Sequence, residues 1–194
     1  MKKFLFAVAA LATSLTASAQ LWVGGSLGFG NQSYWNAEDT ETTWSFAPTV
    51  GYALDDALEV GLEFGINGSK IADDKSFGLS IAPFARYTFL SEGDFSLFVQ
   101  GKIKYGYNKK ESSYSTTSGG VTTTVTSEVK GWNFGCYIQP GIKYALTDNF
   151  SIVSTFGSLY FYHNDPEKAG GATGQNSFGL SLTSGLSFGL FYTF

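Results

Sequence analysis

Six charged side chains stand where charge is least expected. Glu59, Glu63, Arg86, Lys102, Lys104 and Lys143 are each set among apolar or small residues, with apolar side chains recurring at every second position around them. In an extended chain successive side chains point to opposite faces, so these six share the face that their apolar neighbours avoid. Asn67, Gln100, Asn133, Tyr137 and Gln139 join them there. If that face is enclosed, its charges must pair with one another or stay hydrated. Three uses remain open for it: an ion-paired plug, a gated narrow pore, and a site for a small ligand. Glu63 and Arg86 each sit about six residues from a short turn on consecutive strands, and by the period of the strand they are expected to lie at one depth and pair.

Covalent chemistry finds little to work with. His163 is the single histidine, beside Asn164 and Asp165, and no serine can be placed against it to complete a nucleophile–base–acid set. Cys136 is the single cysteine, which excludes an intramolecular disulfide and a cysteine-built metal site. It shares parity with Phe134 and Ile138 and reads as a small packing residue. Asp55-Asp56 and Asp73-Asp74 read as turn charges rather than calcium ligands. Gly24-Gly25 and the Gly28-Phe29-Gly30 run sit mid-strand, where glycine relieves crowding, and make no nucleotide fingerprint. The expectation is a protein with no enzymatic activity, no cofactor and no metal.

The elements that hold these residues are strands. Apolar and small polar residues alternate over 21–30, 43–54, 58–67, 76–90, 95–108, 131–146 and 150–162, and again over 177–194. The last segment puts Phe178, Leu180, Phe188, Leu190, Tyr192 and Phe194 on one parity, with Phe191 as the exception. In 150–162, Ile152, Phe156 and Tyr160 compete with Val153, Leu159 and Phe161 for the outer face, a conflict that a β-bulge would resolve. Connections alternate in length. Residues 55–57, 91–94 and 147–149 are tight polar turns, whereas 31–42, 68–75, 109–130 and 163–176 are long and hydrophilic. Aromatic residues gather towards both strand ends. Tyr52, Tyr87, Phe95, Tyr144 and Phe150 lie near the short turns, and Trp44, Tyr105, Trp132, Tyr160 and Phe178 near the long loops, with aliphatic residues between. Such belts are what membrane interfaces select.

These patterns predict an all-β fold, an eight-stranded antiparallel up-and-down barrel that crosses a membrane and keeps both termini on the periplasmic side. Composition agrees. Glycine is high at 24 residues, aromatics make up 17% and charged residues only 14%. Residues 1–19 form a separate object: Lys2 and Lys3, an apolar run, and Ala17-Ser18-Ala19 before Gln20 read as a cleavable signal peptide. Its removal leaves residues 20–194 as the barrel domain, with ten basic against sixteen acidic residues and a net charge of −6. That balance excludes nucleic-acid binding through a basic face. In the loop 109–130, threonine and valine flank Gly119-Gly120, so the two strands are expected to continue beyond the membrane as a ribbon.

With the closing strand read, the chain resembles the small outer-membrane barrels, the OmpA/OmpX-like porin-family proteins, over 21–194. The resemblance is most specific at the terminus. Phe188, Leu190, Tyr192 and Phe194 are similar to the signal that the barrel-assembly machinery reads, which implies that machinery as a partner during insertion and outer-membrane lipid thereafter. The Ser-Ala-Gln cleavage context and the acidic mature chain resemble Bacteroidetes members, and no periplasmic peptidoglycan-binding domain is expected. The resemblance implies a structural or surface-interaction role in the outer membrane, with an extracellular partner reached through 109–130 and 163–176. The alternative it leaves open is a small porin or conduit for small solutes or apolar molecules.

Overall fold

The computed structural model describes residues 20–33, 40–118, 121–167, 174–181 and 187–194; the expected signal peptide lies outside them. Ten strands follow in chain order: β1 (Leu21–Ser33), β2 (Thr40–Ala53), β3 (Leu58–Ile71), β4 (Asp74–Glu92), β5 (Phe95–Ser118), β6 (Val121–Ala145), β7 (Phe150–Thr155), β8 (Ser158–Pro166), β9 (Gln175–Ser181) and β10 (Ser187–Thr193). β7 and β8 are successive halves of one wall position and β9 and β10 of the next, so the wall has eight positions. Pairing runs in sequence from β1 through β6, returns through β7 to β10, and β10 pairs with β1. The sheet is closed and antiparallel. Closure is what hydrocarbon demands, because an open edge there would leave backbone donors and acceptors without water.

The short turns are stabilised by their own side chains. Asp55 Oδ1 accepts the N–H groups of Ala57 and Leu58 at 2.8 and 2.7 Å, and Thr147 Oγ1 accepts those of Asn149 and Phe150 at 3.3 and 3.0 Å. Between β4 and β5 the turn is carried by Gly93 at φ 57°. The first strand starts and the last strand ends at this rim, where Phe194 N–H donates to Leu21 O at 3.0 Å.

The opposite rim departs from expectation at 68–75. These residues do not form a long loop. β3 and β4 stay paired to Ile71↔Asp74, leaving Ala72 and Asp73 as the turn. The polar composition that suggested a loop belongs to a hairpin emerging into solvent, with the Ser69 and Ser76 hydroxyls 2.7 Å apart across it. Asp74 is likewise more than a turn charge. Its carboxylate accepts Ser112 Oγ–H at 3.1 Å and Ser113 N–H at 3.2 Å, tying this hairpin to β5. The expected ribbon is present, since β5 and β6 remain in register to Ser118↔Val121. Lys109 bridges Glu111 and Glu128, both at 2.7 Å, and Lys130 holds Glu128 at 2.9 Å. The Lys109 and Lys130 ammonium groups hold the Glu128 carboxyl below the usual carboxylate range. The strands from 163 and into 176 also run further than expected, pairing to Asn164↔Gln175.

The ambiguous seventh position resolves through a bulge. β6 pairs Ile142↔Ser154 below it and Gly135↔Tyr162 above it, so the register advances by one residue around Phe156 and Gly157, the latter at φ 66°. Phe150 and Phe156 face outward before the step, and Leu159 and Phe161 after it. Val153 and Tyr160 therefore turn inward. Tyr160 lies against Tyr137 with ring centroids 6.5 Å apart, which removes it from the aromatic belt where parity alone had put it.

Outside, the barrel is apolar around its girth: Val23, Leu27, Phe64, Leu79, Ile103, Ile138 and Leu190 are all exposed. Soluble monomers rarely expose apolar patches beyond a few hundred Å². Belts flank this band. Phe150–Tyr192 and Tyr192–Phe194 contact edge-on at 4.9 and 5.1 Å near the short turns, and Trp132 packs on Tyr105 and Tyr107 at 5.4 and 5.0 Å near the ribbon.

Candidate functional site

The bore divides into two chemically different halves. Towards the short turns it is filled by Trp22, Phe84, Phe98, Val153 and Phe191, which form one buried cluster. Each ring lies across a glycine on the neighbouring strand: Trp22↔Gly51, Phe84↔Gly61, Phe98↔Gly141 and Phe191↔Gly24 are direct register partners. A Cβ on any of these glycines would collide with the facing ring. Glycine on one strand thus makes room for an aromatic side chain laid flat along the wall, a recurrent device in barrels.

Arg86 is set into this aromatic floor and is 4% exposed. Its Cζ lies 4.5 Å from the Phe98 centroid, 5.5 Å from that of Phe84, 5.6 Å from Trp22 and 5.8 Å from Phe191. The guanidinium donates to Glu59 Oε2 at 2.8 Å and to Gln100 Oε1 from Nε and Nη2 at 3.3 and 3.1 Å. Glu59 Oε1 accepts a further bond at 2.8 Å from Lys143 Nζ on β6, three strands away around the wall. Cations over aromatic faces gain about 0.5–2 kcal/mol each as desolvation increases. The arrangement thus holds one guanidinium by a carboxylate, an amide and a ring of π-faces at once.

Above this floor Lys102 Nζ donates to Glu63 at 3.2 Å. The expected Glu63–Arg86 pair does not form. Register partners are Glu59↔Arg86 and Glu63↔Ala82, so Glu63 lies four residues further along β3 than the residue facing Arg86. Counting from the short turns failed because β3 and β4 are joined at the other rim. Their register is fixed by the Ala72–Asp73 turn, and β4 overhangs β3 at the short-turn end, where Leu58 already faces Tyr87. The barrel's stagger is what separates equal counts into unequal depths. Lys104 is partly buried further towards the ribbon, near Asn67, Asn133 and Tyr162.

Other singled-out residues lie away from this set. His163 Nδ1 is 2.7 Å from Asn176 Oδ1 across the β8–β9 pair. Cys136 is a free thiol beside Ile103 and Phe161 at an outer groove. Phe188, Leu190 and Phe194 project outward, with Tyr192 half-buried between neighbouring rings. The aromatic floor itself was missed by parity, which singled out only Phe191. Its signal was present: Trp22, Phe84 and Phe98 break the alternation, and each is matched by a glycine across the hairpin.

A family model described as outer membrane protein beta-barrel domain matches residues 4–194. Among solved structures, Neisserial surface protein A (NspA) superposes with a TM-score of 0.51 at 16% identity, covering 91% of this chain and 99% of its own. A major outer membrane protein from Thermus thermophilus gives a TM-score of 0.54 at 14% identity, again over 91% and 99%. At these identities the likeness is one of fold. A search of curated proteins finds no match.

Proposed function

Given that the chain belongs to the outer-membrane β-barrel domain family, we propose that it is a closed-bore membrane barrel with a structural or surface-interaction role. The observation that carries this reading is Arg86, bonded to Glu59 and Gln100 on its two neighbouring strands and enclosed by four rings, of which Trp22 and Phe191 come from β1 and β10. A barrel of eight strands is just wide enough for its interior to be filled by side chains. Filled in this way, it passes no steady current. The face offered to partners is then the ribbon of β5 and β6, whose upper edges run beyond the neighbouring strands and could pair with a foreign strand.

This reading places both termini in the periplasm, the ribbon outside the cell, and residues 1–19 in a leader removed on export. One digest tests all three. Trypsin added to intact cells is expected to cut at Lys109, Lys110 or Lys130, and mass spectrometry of the protected remainder is expected to begin at Gln20. Cleavage at Arg86 in intact cells, or a remainder beginning at Met1, contradicts the assignment. Phe188, Leu190, Tyr192 and Phe194 serve in the same reading as the assembly signal. Phe194→Ser therefore lowers the fraction of heat-modifiable barrel on unboiled detergent gels, and an unchanged fraction would remove that role.

A further inference from the structure

We propose that the ribbon-side half of the bore holds a binding site for a small oxyanion of the phosphate or carboxylate class, centred on Lys104. Below it every inward charge has a partner: Arg86 and Lys143 on Glu59, and Lys102 on Glu63. Lys104, two positions beyond Lys102, makes no ion pair among the described residues. Around it Asn67, Ser80, Asn108, Asn133 and Tyr162 line a cavity of about 130 Å³. Among the described residues no side-chain hydrogen bond or ion pair engages any of these six groups, nor are they among those with further contacts. Their polar atoms still reach the water of the bore, so the set presents a solute with a cation surrounded by amide and hydroxyl donors.

The cavity is built rather than left over. Gly78 faces both Asn67 and Asn108 in register, and Gly106 faces Asn133. A Cβ at Gly106 would lie 2.6 Å from Asn133 Oδ1, and one at Gly78 would lie 2.8 Å from Asn67 Oδ1. The missing side chains let three amides lie across the wall with their ends in one space. That space equals about four water volumes at about 30 Å³ each, enough for a tetrahedral oxyanion or a carboxylate end group and too small for a sugar. The inward charges Glu59, Glu63, Arg86, Lys102, Lys104 and Lys143 leave a net excess of positive charge, which selects anions over cations. On the ribbon side of the site Gly28, Gly30, Glu41, Thr43, Ser45 and Ser69 line a wider space of about 540 Å³, where Glu41 is the one acidic lining residue.

The test uses the refolded barrel in detergent micelles, titrated with inorganic phosphate and separately with acetate, at constant ionic strength maintained with chloride. The expected result is a saturable shift of the Gly78, Gly106 and Gly135 amide resonances with at least one of the two, and an affinity lowered about tenfold or more in Lys104→Met, the loss of one charge-assisted bond. Shifts that never saturate, or a Lys104→Met barrel that titrates like the parent, overturn the site. If Lys104→Met does not refold to the heat-modifiable form, Asn133→Ala is read by the same criteria. Current through the bore is a separate readout, so failure of the site and failure of the closed-bore reading are distinguishable.

Discussion

Arg86→Ala is expected to lower the unfolding free energy of the barrel by about 3–5 kcal/mol, the usual cost of removing one member of a buried ion pair. The loss is compound. Glu59 keeps Lys143 at 2.8 Å but loses its closest buried donor, Gln100 Oε1 loses two hydrogen bonds, and the rings lose the cation they enclose. Water entering the vacated space offsets part of this. The sharper statement concerns coupling. A double-mutant cycle of Arg86→Ala with Glu59→Ala should return an interaction energy above about 1 kcal/mol, whereas the cycle of Arg86→Ala with Glu63→Ala should return far less, because only the first pair is in contact. Urea unfolding in lipid vesicles followed by tryptophan fluorescence measures both. Equal couplings would mean that the β3–β4 register is not the one set by the Ala72–Asp73 turn.

The second large effect belongs to Phe98, the only fully buried large side chain among the described residues. Phe98→Ala should cost about 3–5 kcal/mol, combining lost transfer energy with an unfilled space. It faces Gly141 and lies nearest to the guanidinium, at 4.5 Å. Gly141→Ala approaches the same contact from the other strand. A methyl group there must displace the Phe98 ring, an overpacking expected to cost about 1–3 kcal/mol. The same vesicle unfolding assay reads both variants. Losses below about 0.5 kcal/mol for the pair, well under the usual range for either change, would show that the ring is not held against the wall as described.

The wall was legible in the sequence because lipid imposes a period of two on every strand it touches. Leu27, Phe64, Ile103 and Leu190 each sit on the apolar parity of their strands and are exposed on the barrel's outer face. The interior was less legible, for two physical reasons. Register is a property of the turn joining two strands, so Glu63 and Arg86 could be given equal counts from the short turns and still lie at different depths. Parity also holds only between bulges. Gly157 shifts the seventh wall position by one residue, and Tyr160 passes from the expected belt to the inside. The loop at 68–75 failed differently. Its polar residues belong to strands that have left the apolar layer, and composition alone does not separate such a hairpin from a loop. The aromatic floor could have been found by laying hairpins in register, since Trp22 and Phe98 each fall opposite a glycine.

Single-channel recording of the purified barrel in planar lipid bilayers tests the closed bore most directly. With Arg86 bonded to Glu59 and enclosed by Trp22, Phe84, Phe98 and Phe191, the parent protein is expected to show no steady conductance in either polarity, and Arg86→Ala to show flickering openings as the floor loosens. Steady ohmic channels of one size in every parent reconstitution, unchanged in Arg86→Ala, would contradict the account and make the protein a small conduit instead.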